Sequence, residues 1–94
     1  MAFTALLDEL ANYVAVLEQS AEATTHAADR AAYTTHRAVA ASMFSPVHNG
    51  DLATLRILVA HERRSFGWSY LSGQCGKAAE AAFQRFASAL DGVE

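Results

Sequence analysis

Apolar side chains recur along most of the chain at steps of three and four residues, the spacing that places them on one face of an α-helix. This pattern predicts four helices, at about residues 4–22, 25–43, 51–71 and 74–90. Each helix has an apolar face that must be buried against a neighbour. We therefore expect an all-α protein with a single helical domain over residues 1–94, folded as a four-helix up-and-down bundle.

The third predicted helix carries two stripes of side chains instead of one. The first stripe contains Leu52, Leu55, Val59, Glu62, Phe66 and Tyr70. The second stripe, nearly opposite, contains Ile57, His61, Arg64, Trp68 and Leu71. One stripe is sufficient to bury a helix against its own domain. The second stripe predicts an interface with a further helix or another chain, and a tryptophan such as Trp68 is typical of protein interfaces.

The junction between the first two helices admits a second architecture. The sequence has no glycine or proline between Phe3 and Ser45, and the apolar stripes of the two halves are in phase. One continuous helix of about 40 residues would be roughly 60 Å long, too long for a monomer of this size to cover. It would require a domain-swapped dimer, in which the long N-terminal helix is joined to a helical hairpin. The Thr24-Thr25 pair and the matched helix lengths favour a turn, and hence the bundle.

The segment 44–50 separates the second and third predicted helices. Pro46 lacks a backbone donor and restricts the residue before it, so the segment is expected to form a loop. Asp51 follows the loop and is expected to cap the third helix.

Composition narrows the classes of partner. The net charge is −3 and the basic residues are scattered, which argues against nucleic-acid binding. Cys75 is the only cysteine, so an internal disulfide and a cysteine-rich metal site are excluded and a reducing compartment is favoured. The chain shows neither a signal-peptide pattern at its start nor an apolar run of membrane-spanning length. We expect a soluble, cytoplasmic protein without a nucleic-acid or membrane partner.

Glu62 interrupts the apolar stripe of the third helix, where a carboxylate must be paired or neutral. Antiparallel packing places it level with His36 of the second helix and with Arg85 of the fourth. A structural interpretation is an ion pair with Arg85 or Arg37. A functional interpretation is a general acid or base, or a metal-binding carboxylate. The structural interpretation is favoured, because structural ion pairs also place carboxylates in such stripes.

A metal site is the sharpest chemical hypothesis that the sequence allows. His36 and His61 could lie at one height of the bundle and complete a two-histidine, one-carboxylate set with Glu62. However, the sequence lacks the HxxxH, HExxH and ExxH spacings that make helical metal sites specific. Cys75, at the start of the fourth helix, is expected to be a buried, inert thiol. No metal, cofactor or catalytic residue is therefore favoured.

Two functional hypotheses remain. The first is a protein–protein interaction or regulatory module, working as a homodimer or with another protein. Its interface is the second stripe: Ile57, His61, Arg64, Trp68 and Leu71. The alternative is a ligand- or metal-binding bundle, with catalysis as one of its potential roles, centred on Glu62 with His36 and His61. No motif supports an enzyme strongly enough to favour that alternative.

Overall fold

The computed structural model describes residues 2–67 and 73–93, and these ranges contain five helices. They are α1 (Ala2–Ala23), α2 (Ala27–Ser42), α3 (Phe44–Asn49), α4 (Leu52–Gly67) and α5 (Gly73–Asp91). Within these ranges no strand occurs. The all-α helical bundle predicted from the sequence is confirmed, with four long helices and one short one. None of the described helices is both long enough and apolar enough to cross a membrane.

The first helix, α1, lies at the centre of the bundle and packs along both α2 and α5. Leu6, Leu10, Tyr13 and Leu17 follow its inner face at helical spacing, and all four are fully buried. Burying an aliphatic side chain of this size contributes about 1.5–3 kcal/mol. Across from them, α5 buries its larger side chains together with several alanines: Ala79, Ala82, Phe83, Phe86, Ala87 and Leu90. The small side chains allow the two helix axes to approach closely.

A short turn separates α1 from α2. The first helix ends at Ala23 and the second begins at Ala27. The Arg30 guanidinium covers the exposed end of α1, because its Nε donates to the carbonyl of Ala21 at 3.3 Å and its Nη2 to the carbonyl of Thr24 at 3.0 Å. Carbonyls at the end of a helix have no partner within the helix, so a cationic side chain there stabilises the turn.

The loop predicted for residues 44–50 is wrong, because most of this segment forms α3. Pro46 lies in the first turn of that helix, where a backbone N–H would have no intrahelical partner in any case. Gly50 ends the helix in the left-handed region, with φ 68°. The capping role of Asp51 is confirmed: its carboxylate accepts from the Thr54 backbone N–H at 3.2 Å and from the Thr54 hydroxyl at 2.6 Å.

The fourth helix packs against α2, α3 and α5. Among the described residues, no Cα atom of α4 comes within 8 Å of one in α1. Leu55, Val59 and Glu62 nevertheless lie fully or almost fully buried on the inner face of α4. Long side chains from both helices therefore fill the space between them. The predicted extension of this helix over residues 68–71 lies outside the described residues.

Candidate functional site

Glu62 accepts two hydrogen bonds inside the bundle and is only 1% exposed. The Tyr13 hydroxyl donates to Oε2 of Glu62 at 2.8 Å. Nδ1 of His36 lies 2.8 Å from Oε1 and, with its proton on that nitrogen, donates to the carboxylate. One residue each from α1, α2 and α4 thus meet in a buried cluster, in which both carboxylate oxygens have a partner. We call Tyr13, His36 and Glu62 the buried polar cluster.

The surroundings of the cluster are apolar on the α1 side and more exposed to solvent on the α2 side. Tyr13 is fully buried, and its ring centroid lies 5.5 Å from that of Phe83. Burial, and then the charge and hydrogen bond of Glu62, raise the pKa of Tyr13 far above its ordinary value, so its hydroxyl keeps its proton and remains a donor. The side chain of His36 is 12% exposed, so the imidazole is the member of the cluster nearest to solvent.

Neither arginine considered as a partner of Glu62 forms that ion pair. Nε of Arg37 lies 2.6 Å from Glu18, and Nε of Arg85 lies 3.6 Å from Glu9. Both arginine side chains are about half exposed, at 49% and 55%. A long cationic side chain loses less hydration when it pairs at the surface than when it enters the core. A tyrosine hydroxyl and a histidine ring nitrogen are the partners of Glu62 in their place.

The sequence placed His36 beside Glu62 through the antiparallel register of their helices, and the structure shows this contact. It did not single out Tyr13, which looked like one more position of an apolar stripe. The available signal was chemical: a tyrosine among leucines carries a hydroxyl that must find a partner when it is buried.

His36, His61 and Glu62, the candidate metal ligands that the sequence allowed but did not favour, do not form a three-ligand group. His61 is exposed, whereas Glu62, its neighbour in the chain, points into the core. In residues 2–67 and 73–93, no three His, Cys, Asp or Glu side chains lie together in a way that could hold a metal ion. The thiol of Cys75 and the side chain of Phe66 lie outside the described residues.

The solvent side of α4 presents a second candidate site, which we call the outer face of α4. It consists of Ala53, Ile57, Ala60, His61 and Arg64, all of them exposed. Ile57 stands out, because this large apolar side chain is 70% exposed in the middle of the helix. The three described members of the predicted interface, Ile57, His61 and Arg64, therefore share one surface. Trp68 and Leu71, the other two members, lie outside the described residues.

Comparison with known proteins gives no further information: no protein-family model, no curated protein and no solved structure matches this chain. A function must therefore be inferred from the buried polar cluster and from the outer face of α4.

Proposed function

We propose that this protein is a small helical interaction module that works as a homodimer, with the outer face of α4 as its contact surface. The observation that supports this proposal is the exposure of Ile57. Its side chain leaves most of its apolar area in water at the centre of a helix face, and covering that area is favourable by about 25 cal/mol per Å².

The buried polar cluster supports the same function by fixing the orientation of α4. Glu62 and Ile57 are five positions apart, which places them about 140° apart around the helix axis. Glu62 is held inward by hydrogen bonds to α1 and α2, so α4 cannot rotate about its axis to bury Ile57 without breaking them. A satisfied polar network inside a core specifies one arrangement of the surrounding helices. We therefore assign the cluster a structural role.

A second copy of the chain is the partner that fits this surface most simply. In a two-fold dimer the same patch occurs on both subunits, so one exposed apolar residue at its centre can meet its own counterpart. Ala53 and Ala60 lie one turn on either side of Ile57, and both are exposed. These small side chains let another helix approach closely.

The test compares native mass spectra of the natural chain, the Ile57→Lys variant and a control, Ala81→Lys. Ala81 is an exposed alanine on α5, so the control adds the same charge away from the outer face of α4. We expect dimers for the natural chain and for Ala81→Lys, and monomers for Ile57→Lys with unchanged helix content in circular dichroism. Trp68→Ala, in the same predicted stripe, should also weaken the dimer. A monomeric natural chain, or a dimer that survives Ile57→Lys, would contradict the proposal.

The same spectra test the alternative of a ligand- or metal-binding bundle. A ligand held at Glu62 would appear as additional mass on the natural chain and would be lost in Glu62→Gln. The interaction module predicts a mass equal to that of the polypeptide alone.

A further inference from the structure

We infer that two copies pair through α4 in antiparallel orientation, about a two-fold axis that passes beside Ile57. This inference rests on the proposed homodimer and adds its geometry. Three features of the described residues support it: the order of small and large side chains along the outer face of α4, the distribution of charge between the ends of the helix, and the engagement of Arg56.

The order of side-chain sizes suits antiparallel self-pairing. About an axis at Ile57, positions equally distant from residue 57 face each other. Ala53 of one copy then faces His61 of the other, and Thr54 faces Ala60. Each larger side chain meets a smaller one, so the two helices can interdigitate at an interaxial distance of about 8–10 Å. In parallel pairing each residue would face itself, so the imidazoles would meet each other and the alanines would leave gaps.

The ends of α4 carry opposite charges. Asp51 precedes the first turn, and its hydrogen bonds from Thr54 lower the pKa of its carboxyl, which is therefore ionised at neutral pH. Arg63 and Arg64 lie in the last turns, and both are exposed. Arg64 is seven positions from Ile57 and lies on the outer face itself, so antiparallel pairing places it opposite residue 50 and within about 1.5 Å of the height of Asp51 of the other copy. Parallel pairing would place the arginines of the two copies together.

The remaining cation of α4 does not oppose this arrangement. Arg56 is adjacent to Ile57 in the sequence, and two uncompensated arginines near the axis would repel each other. Its Nη2 donates to the carbonyl of Val93 at 2.9 Å, so the guanidinium is held at the flank of the helix, beside the end of α5. The centre of the contact surface is therefore apolar.

Disulfide trapping tests the orientation directly, because a disulfide forms only when two Cα atoms come within about 7 Å. Single cysteines are introduced in a Cys75→Ala background whose dimer mass has first been checked under reducing conditions. We expect Ile57→Cys to link to itself on mild oxidation. We expect a mixture of Ala53→Cys and His61→Cys chains to give predominantly the mixed disulfide. Ala53→Cys alone and the surface control Ala81→Cys should stay unlinked.

The outcomes separate the two proposals. If Ala53→Cys alone links to itself as readily as in the mixture, the helices are parallel and the inference is wrong, while the contact surface stands. If the chain is dimeric under reducing conditions but Ile57→Cys does not link, the axis lies elsewhere and the inference is again wrong. A monomeric chain would overturn both the homodimer and its geometry.

A charge change in the natural background gives an independent readout that needs no cysteine. In the antiparallel dimer, replacing Arg64 by glutamate places a like charge beside Asp51 of the other copy, and the Kd should rise on the order of fivefold at low salt. In a parallel dimer the arginines of the two copies face each other, and the same change replaces this repulsion by repulsion between two glutamates. The Kd then stays near its original value. An unchanged or lower Kd would therefore overturn the antiparallel arrangement.

Discussion

Glu62 shows how this fold buries a carboxylate without an arginine beside it. Its oxygens accept from a tyrosine hydroxyl and a histidine ring nitrogen, each at 2.8 Å. Hydrogen bonds to a charged group contribute about 1.5–3 kcal/mol each, and loss of one partner leaves the other group poorly solvated. The contribution of the cluster to stability should therefore be measurable from single substitutions.

Glu62→Leu should lower the free energy of unfolding by about 2–4 kcal/mol. The leucine fills a similar volume, but it removes the acceptor of both hydrogen bonds and leaves Tyr13 and His36 without this partner. Glu62→Gln retains an acceptor and should cost only about 1 kcal/mol. Urea unfolding followed by circular dichroism measures both changes. Combining Glu62→Leu with Tyr13→Phe should destabilise less than the sum of the two single variants, since they remove the same bond. Simple additivity would show that this bond does not contribute to stability.

Tyr13 should also make the protein sensitive to alkaline pH. Its pKa in the folded state is raised above the ordinary value of 10.0, which applies in the unfolded chain. The contribution of the protonated hydroxyl is therefore fully present below about pH 10 and is lost as the pH rises further, because only the unfolded state releases the proton readily. Between pH 9 and 11, the free energy of unfolding should fall more steeply for the natural chain than for Tyr13→Phe. Equal slopes would contradict a buried, protonated Tyr13.

The partners of this carboxylate could be predicted only in part. Helix register was sufficient to place His36 beside Glu62, because that relation depends only on which helices are antiparallel. Whether an arginine or a tyrosine becomes the partner of Glu62 depends on how much hydration each side chain loses when it is buried. Arg37 and Arg85 have surface carboxylates within reach, and a sequence does not show which side chain will lose its water.

At the scale of elements, the short helix α3 is where the sequence interpretation failed. Periodicity cannot distinguish a six-residue helix from a loop, because such a segment contains fewer than two turns. Pro46 suggested a break, yet proline is well suited to a first helical turn. The long helices and the Asp51 cap were predictable, because each of them rests on a signal extending over several turns or on a specific side-chain acceptor.

Gly50 ends α3 at the turn into α4, and its replacement should reveal how much this turn depends on its left-handed conformation. Its φ of 68° lies in the left-handed region, and the nearest side-chain atom to a Cβ added at this position would be Cζ of Phe3 at 4.0 Å, so the obstacle is backbone strain and not space. Gly50→Ala should destabilise the protein by about 1 kcal/mol. Gly50→Asn should cost less, since asparagine tolerates this conformation. Thermal unfolding measures the destabilisation by each variant. Equal destabilisation by alanine and asparagine would show that the left-handed φ is not its cause.

At the scale of the whole molecule, a dimer links stability to concentration. If only the folded chain dimerises, mass action stabilises it further as its concentration rises. The Tm of the natural chain should therefore increase between micromolar and submillimolar protein, whereas that of Ile57→Lys should stay constant. Differential scanning calorimetry at several concentrations makes the comparison. A concentration-independent Tm in the natural chain would contradict a dimer coupled to folding.

The overall architecture was predictable because four amphipathic segments with short connections have few ways to bury their faces. The position of α1 at the centre was not, since every long helix offers an apolar stripe and the sequence does not rank them. Alanines of the neighbouring helices, among them Ala40 and Ala82, are fully buried, and such small side chains let α2 and α5 pack close to α1.

The wide separation of α4 from α1 has a consequence for amide hydrogen exchange. Backbones that pack closely, as α1 does with α2 and α5, open only when the whole domain unfolds. By contrast, no described Cα atom of α4 lies within 8 Å of one in α1, and side chains such as Tyr13 and Glu62 join the two helices across the gap. Its amides should therefore exchange through local opening, well before those of α1. The surface that we propose for dimerisation thus belongs to a helix whose backbone lies apart from the central helix, and a second copy bound there would slow its exchange.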